Sequence, residues 1–306
     1  MFIKTLVTNL NLEALHIRKL GTLFVLATLS ASINAESYHR IVSTTGNASQ
    51  IIAELGLADD LVAVDTTSTL PADIMKNKPK IGYRRALSSE GILAMRPDLV
   101  VLAPDAGPPN VISQLKSSKV KTITITDKKS LKGVIDDIQL IAKTLDATEQ
   151  AKPLIERINK DKAEITEIIE SYPTQPKIAF FMDGGVDRFM GFGDETAGDG
   201  MINIVGGKNI FKSQFKSVKP VSLEALSVSD MDMIIIASHS GKDRNPATLT
   251  KALDKYTKLA VTKAGQKGCV FTIGIVEGLG FGPDLTQSAK EIAQAAKECV
   301  TQGEIK

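Results

Sequence analysis

Residues 80–91 read KIGYRRALSSEG. Tyr83 follows a glycine and stands directly ahead of Arg84 and Arg85. A phenolate is a hard oxygen donor that suits ferric iron, and tyrosine is among the side chains that ligate haem iron. An ordinary phenol ionises near pH ~10. Neighbouring cations and a bound metal both favour the ionised form. In extended chain, residues i and i+2 share a face. Arg85 is therefore expected to donate to the phenolate oxygen, while Arg84 points elsewhere, toward solvent or a propionate. The same residues are also compatible with a half-buried tyrosine in a turn.

Other chemistry is sparse. The chain has no nucleophile elbow, Walker loop or HExxH pattern. Beyond residue 35 only His39 and His239 remain, too few for a histidine-rich zinc or manganese site. His239 follows the strand-like run DMIIIA, and strand ends in open α/β sheets are where ligands bind. It is a candidate ligand-facing residue or a solvated loop histidine. Two glycine-containing stretches, Asp183-Gly184-Gly185 and STTGNAS (43–49), read either as tight turns or as backbone N–H groups facing an anion. Cys269 and Cys299 have the wrong spacing for a metal knuckle. They read as a disulfide or as two buried thiols.

The elements that must position these residues alternate. RIVS (40–43), LVAV (61–64), DLVVLA (98–103) and KTITIT (121–126) read as strands, and IIAEL, GILAM, VISQL and 131–145 as helices. This is the pattern of an α/β domain with a mostly parallel sheet. From about 147 to 171 the sequence is charged, but Ala151, Leu154, Ile155, Ile158, Ile165, Ile168 and Ile169 fall on one helical stripe. Pro153 suits the first turn of that helix. Then KIAFFM (177–182), DMIIIA (232–237) and VFTI (270–273) read as strands and 284–300 as a helix. One local pattern repeats. Ser88-Ser89-Glu90 precedes Asp98 and LVVL just as Ser222-Leu223-Glu224 precedes Asp232 and MIII. The expected division is a leader over 1–35, α/β domains over 36–146 and 174–306, and a connector helix over 147–173.

The leader expectation rests on Lys4, Arg18 and Lys19 followed by LGTLFVLATLSA, too short to span a bilayer and suited to a signal peptide cleaved after Ala35. No cysteine sits near that position, so a soluble, periplasmic product is expected. The whole chain has 37 Lys+Arg and 35 Asp+Glu; the leader holds three of the former and one of the latter, leaving 34 of each. A nucleic-acid binder would carry a basic excess.

Three stretches, RIVSTTGNASQIIAELGLADDLVAVDTTSTLPADI, KIGYRRALSSEGILAMRPDLVVLAPDAGPP and EGLGFGPDL, resemble the periplasmic haemin-binding proteins of bacterial haem ABC importers. The resemblance runs over nearly the whole chain beyond the leader. Much of it is shared with siderophore- and cobalamin-binding relatives; the GY-x-RALS-x-EG stretch is what points to haem. It implies two Rossmann-like α/β domains with mostly parallel sheets, one long connector helix and a ligand cleft between the domains. It implies haem as the transported ligand, Tyr83 as axial iron ligand and Arg85 as its hydrogen-bond partner. It also implies docking of Glu90 and Glu224 on the two permease subunits of an importer with its ATPase, and no enzymatic activity. Some relatives supply a histidine just ahead of a Gly-Gly pair; here Asp183 stands in that place. The alternatives are a ferric-siderophore or corrinoid carrier of the same fold, or an exported α/β enzyme with an unfamiliar site.

Overall fold

The computed structural model describes residues 37–184, 188–238 and 249–301. The leader, Gly185 and His239 lie outside the described residues. Residues 37 onward form one compact unit. Its first lobe is a four-stranded parallel sheet of β1 (Ile41–Ser43), β2 (Leu61–Val64), β3 (Leu99–Leu102) and β4 (Lys121–Thr124), in the order β2-β1-β3-β4. Alternation along these strands serves both faces. Ile41, Leu61, Leu99 and Val101 join the main core. Val42, Ala63, Val100 and Leu102 join a second cluster with Leu87, Ile92, Val111 and Leu115. A parallel sheet needs helical crossovers on both faces, which is why its strands are continuous apolar runs.

Thr148–Glu170, 23 residues without a break, forms the long helix α1. At 1.5 Å per residue it spans roughly 35 Å. Ala151, Leu154, Ile158 and Ile165 are buried on one stripe, as the periodicity requires. Pro153 is tolerated because the first turn needs no intrahelical N–H partner. The Tyr172 hydroxyl donates to the carbonyls of Val205 (2.9 Å) and Ala293 (3.1 Å), tying the end of α1 to the second lobe. Burial pushes the Tyr172 phenol well above its ordinary range.

The second lobe departs from the sequence expectation of a mostly parallel sheet. It is a mixed seven-stranded sheet containing β5 (Lys177–Asp183), β6 (Phe189–Phe192), β7 (Lys208–Asn209), β8 (Val218–Val221), β9 (Met233–Ser238), β10 (Thr250–Lys251) and β11 (Val270–Gly274). The central strands β11, β9 and β5 are parallel and buried. Strands β6, β8 and β10 add antiparallel pairs. They escaped the sequence reading because each is short and carries weak strand signals. Pro220 in β8 cannot donate to a ladder and is accommodated because β8 is an edge strand.

The repeat read from the sequence has a structural counterpart. Ser88 and Ser222 each accept the N–H three residues on, from Gly91 and Ala225, both at 3.2 Å. Asp98 accepts from the Arg40 amide (3.1 Å), and its own amide donates to the Arg40 carbonyl (3.0 Å). Asp232 makes the same pair of bonds with Lys177, at 3.0 and 2.8 Å. In each lobe an aspartate therefore ties the strand it opens to the start of the neighbouring strand.

Polar contacts also join the lobes. Gln50 donates to Glu54 (2.9 Å) and to Asp284 (2.7 Å). Arg157, on α1, pairs with Glu54 (2.7 Å) and Asp284 (3.2 Å). Burial, then the Asp284 charge, push the Glu54 carboxyl above its ordinary range, and Arg157 only partly offsets them. The C-terminal helix α2 (Leu285–Thr301) closes the second lobe. Its Thr286 and Lys290 (2.7 Å) both donate to Asp161, buried on α1. Cys269, just before β11, and Cys299, on α2, form a disulfide, which resolves the two readings left open by the spacing.

Two predictions follow from this packing. The disulfide closes a 30-residue separation, so the Cys269→Ser/Cys299→Ser double variant should lose about 3–4 kcal/mol in urea unfolding. Arg157→Met leaves Glu54 and Asp284 facing each other. It should cost about 1–3 kcal/mol near neutral pH. Because the Glu54 pKa is raised, its protonated form is the stabilising one, and that contribution is lost as pH rises through the raised value. The Arg157→Met penalty should accordingly shrink as pH falls toward 4.5. Urea unfolding from pH 4.5 to 7.5 tests both the size and the sign.

Candidate functional site

Ligands in open α/β sheets bind beyond the carboxyl ends of the strands, where strand order reverses. In the first lobe that place is beside β1 and β3. Segment 79–82 runs alongside β2: Val64 N–H donates to Pro79 (2.9 Å), Ile81 N–H to Val64 (3.0 Å) and Thr66 N–H to Gly82 (3.0 Å). Gly82 has φ +93°, a conformation that disfavours any residue with a Cβ. This turn releases Tyr83 from the strand edge. Its side chain is 42 % exposed, and among the described residues it makes no hydrogen bond.

The chain after Tyr83 is not extended. Ala86 N–H donates to the Tyr83 carbonyl (2.8 Å), closing a turn. The i/i+2 geometry expected from the sequence therefore does not apply, and the two arginines converge instead of diverging. Arg84 Nε lies 3.0 Å from Asp105 Oδ1 and 3.2 Å from Oδ2. Arg85 Nε and Nη2 each lie 2.7 Å from Asp105 Oδ2. Arg85 thus spends its hydrogen bonds on Asp105, and none to Tyr83 is made. Arg84 is 23 % exposed and Arg85 60 %.

Asp105 lies in the loop after β3, and that loop is stitched to the tyrosine turn. Leu87 N–H donates to the Gly107 carbonyl and Gly107 N–H to the Arg84 carbonyl, both at 2.9 Å. Burial pushes the Asp105 carboxyl up, but the Arg85 hydrogen bond and the charges of Arg84 and Arg85 outweigh it and hold it below the usual range. Arg85 is raised above its ordinary value, chiefly by the Asp105 hydrogen bond, with a smaller contribution from Tyr83. The outcome is an exposed phenol beside two guanidinium groups that share one carboxylate. Sequence reasoning missed Asp105 because about twenty residues and a whole strand separate it from the arginines. Only its place at the head of DAGPP, directly after a strand, marked it.

The single glycine of STTGNAS, Gly46, serves packing. A Cβ on Gly46 would sit 2.7 Å from the Thr67 carbonyl oxygen, and the Gly46 N–H is already given to Thr67 Oγ1 at 3.1 Å. The tight-turn reading also fits Gly184, whose N–H donates to the Arg188 carbonyl at 3.0 Å.

In the second lobe Asp183 ends β5 and Ser238 ends β9, at the carboxyl edge of the parallel strands. Tyr256 donates to Asp183 Oδ2 at 2.8 Å, and Lys255 Nζ lies 3.7 Å from the same oxygen. Burial first, then the Asp183 hydrogen bond, push the Tyr256 phenol up despite a bond from Lys255. Tyr256 had no signal in the sequence, since it lies beyond β9 and β10. Between the lobes, Lys129 sits over the Phe281 ring at 5.2 Å, so the EGLGFGPDL segment reaches the first lobe. Glu90 and Glu224 are exposed in the first turns of the two serine-capped helices, Ser89–Ala94 and Leu223–Ser227. The backbone amide of Glu224 and the Ser222 hydroxyl hold its carboxyl below the ordinary range.

Known proteins resemble this chain in fold and sequence. The periplasmic heme-binding protein RhuT from Roseiflexus sp. RS-1, in its apo form, superposes with a TM-score of 0.74 at 29% identity, covering 86% of this chain and 99% of that one. The periplasmic heme-binding protein BhuT in complex with two hemes gives a TM-score of 0.75 at 29% identity, with the same coverages of 86% and 99%. The vitamin B12-binding protein of Vibrio vulnificus is 22% identical over 216 residues, 71% of this chain and 77% of its own. The family model for the periplasmic binding protein matches residues 41–275. With two α/β lobes, one long helix and a family match over most of its length, the chain belongs to the periplasmic binding protein family.

Proposed function

We propose that this protein binds haem in the cleft between its lobes and delivers it to an ABC importer, from the periplasm and without catalysing a reaction on it. One observation carries the haem reading: an exposed phenol at the ligand edge of the first sheet, flanked by two guanidinium groups. Tyr83 supplies the oxygen donor to the iron, a ligand type already known for haem. Arg84 and Arg85 supply positive charge beside it, which attracts the carboxylates of the macrocycle. The two similar proteins named for heme binding support the same assignment. His239, next in sequence after β9 and outside the described residues, remains a candidate for facing the ligand.

A second reading is a corrinoid or a ferric siderophore, and the similarity to vitamin B12-binding proteins favours it. The two differ in what the iron or cobalt still needs. A siderophore fills the metal's coordination shell, and a corrinoid brings four ring nitrogens and its own axial groups, so neither requires a protein phenolate. A haemin titration followed at the Soret band separates them.

Delivery rests on the two glutamates. Glu90 and Glu224 occupy matching places in the two lobes, each exposed on a serine-capped helix. Near a helix N-terminus each complements the helix dipole. Their pseudo-two-fold placement also suits arginines on the two subunits of a permease dimer, which would hold the cleft over the translocation path.

Two outcomes are expected. Tyr83→Phe keeps the ring and removes the donor. It should weaken haemin binding by at least roughly tenfold, the lower end of the cost seen even for groups one shell further from a metal. The phenolate charge-transfer band should vanish. An unchanged spectrum and affinity rejects Tyr83 as the iron ligand. For docking, Glu90→Lys combined with Glu224→Lys should leave haemin titration intact but abolish haemin-stimulated ATPase activity of the reconstituted importer, because like-charge contacts cost more than missing ones. Full stimulation leaves the glutamates only their helix-cap role.

A further inference from the structure

We propose that Val228 and Val261 form an apolar anchor on the docking face of the second lobe: they pack on the permease subunit whose cation takes Glu224, and the first lobe has no counterpart. This rests on the importer reading above and makes the two docking contacts unequal.

Three large apolar side chains are exposed among the described residues: Tyr83, Val228 at 86 % and Val261 at 53 %. Tyr83 stands at the ligand edge of the first sheet. The other two lie on neighbouring segments of the second lobe. Val228 follows the serine-capped helix Leu223–Ser227, and Val261 ends the short helical turn Thr257–Val261, which packs against that helix. Each segment puts a leucine into the core, Leu226 or Leu259, and leaves a valine outside two residues later. The segments are tied just beyond the valines, where Lys263 pairs with Asp230 at 2.6 Å. Val228 also comes four residues after Glu224, a spacing that puts both on one side of a helical turn. In the first lobe the place four residues after Glu90 is held by Ala94.

Charge selects the occupant. Lys263 pairs with Asp230 and Asp232, and Lys177 with Asp230, so two lysines and two aspartates cancel. Glu224 is exposed and, among the described residues, enters no ion pair. The face therefore offers one carboxylate beside apolar surface, and its complement is a cationic side chain in apolar surroundings. An anionic bilayer surface would meet Glu224 with like charge. A second copy in a two-fold contact would set this patch against itself, Glu224 included, with the nearby lysines already paired. A permease subunit that presents an arginine to Glu224 meets the charge requirement, and the valines then exclude water from that contact.

The test uses Val228→Ser combined with Val261→Ser, beside wild type and Ala94→Ser. The deciding quantity is the concentration of haemin-loaded protein that half-maximally stimulates the ATPase of the importer reconstituted in liposomes. The double variant should raise it at least roughly tenfold, since burial of one valine side chain is enough for that factor. Ala94→Ser should change it by no more than about twofold, as ordinary surface substitutions do. Haemin titration at the Soret band should be the same for all three proteins. An unchanged half-stimulating concentration in the double variant, or an equal rise in Ala94→Ser, overturns the anchor. So does wild-type flotation with importer-free liposomes, or a wild-type dimer in sedimentation, that the double variant loses, because the valines then serve lipid or a second copy. If circular dichroism shows that the serine variant has lost its fold, Val228→Thr with Val261→Thr repeats the comparison at equal side-chain size. Absence of stimulation by wild type rejects the importer reading and the anchor with it. Normal wild-type stimulation with an unaffected double variant rejects the anchor alone.

Discussion

The apolar stripe of α1 is the constraint on which the rest depends. Ala151, Leu154, Ile158 and Ile165 carry one buried face along a helix of 23 residues, and its flanking polar groups reach into both lobes. Arg157 gathers Glu54 and Asp284. Four residues on, Asp161 takes Thr286 and Lys290 of the C-terminal helix. One helical spacing therefore sets the distance between the sheets and the polar contacts that join them. A continuous helix bends less readily than a flexible strand linker, so the closure this architecture permits is small.

Electrostatics at the cleft follow a different logic from the chain as a whole. Beyond residue 35 the formal charges balance, so net charge does not mark the ligand's sign. The local imbalance at Arg84, Arg85 and Asp105 does so instead. Three backbone features create it: the Gly82 turn that frees Tyr83, the turn closed by Ala86, and the paired hydrogen bonds to Gly107. All are main-chain interactions. The side chains of the site therefore rest on a scaffold of main-chain interactions.

The pseudo-repeat is visible at the level of single hydrogen bonds. A serine cap, an exposed glutamate in the first turn, and an aspartate that ties two parallel strands recur in both lobes. What differs is the edge of each sheet. The first lobe closes with four parallel strands. The second adds antiparallel strands around its parallel centre.

The α/β class, the long helix and the central parallel strands were legible in the sequence because each depends on local periodicity. Burial on both faces makes a strand a continuous apolar run, and burial on one stripe gives the helix its spacing. Tyr83 and its arginines were legible because three consecutive residues of unusual type stand out in a turn. The direction of Arg84 and Arg85 was not. Their geometry is set by Asp105, brought in by the β3 crossover, and by a turn closed through the Tyr83 carbonyl. Tyr256 on Asp183 and the edge strands around Pro220 were hidden for the same reason, and the Cys269–Cys299 bridge stayed one of two open readings. Each joins segments far apart in the chain, or rests on short segments with weak propensity. The sequence by itself determined which segments form helices and strands and which residues can do chemistry. Only the tertiary structure decided which of those residues meet, because that depends on contacts between elements, and no local pattern encodes them.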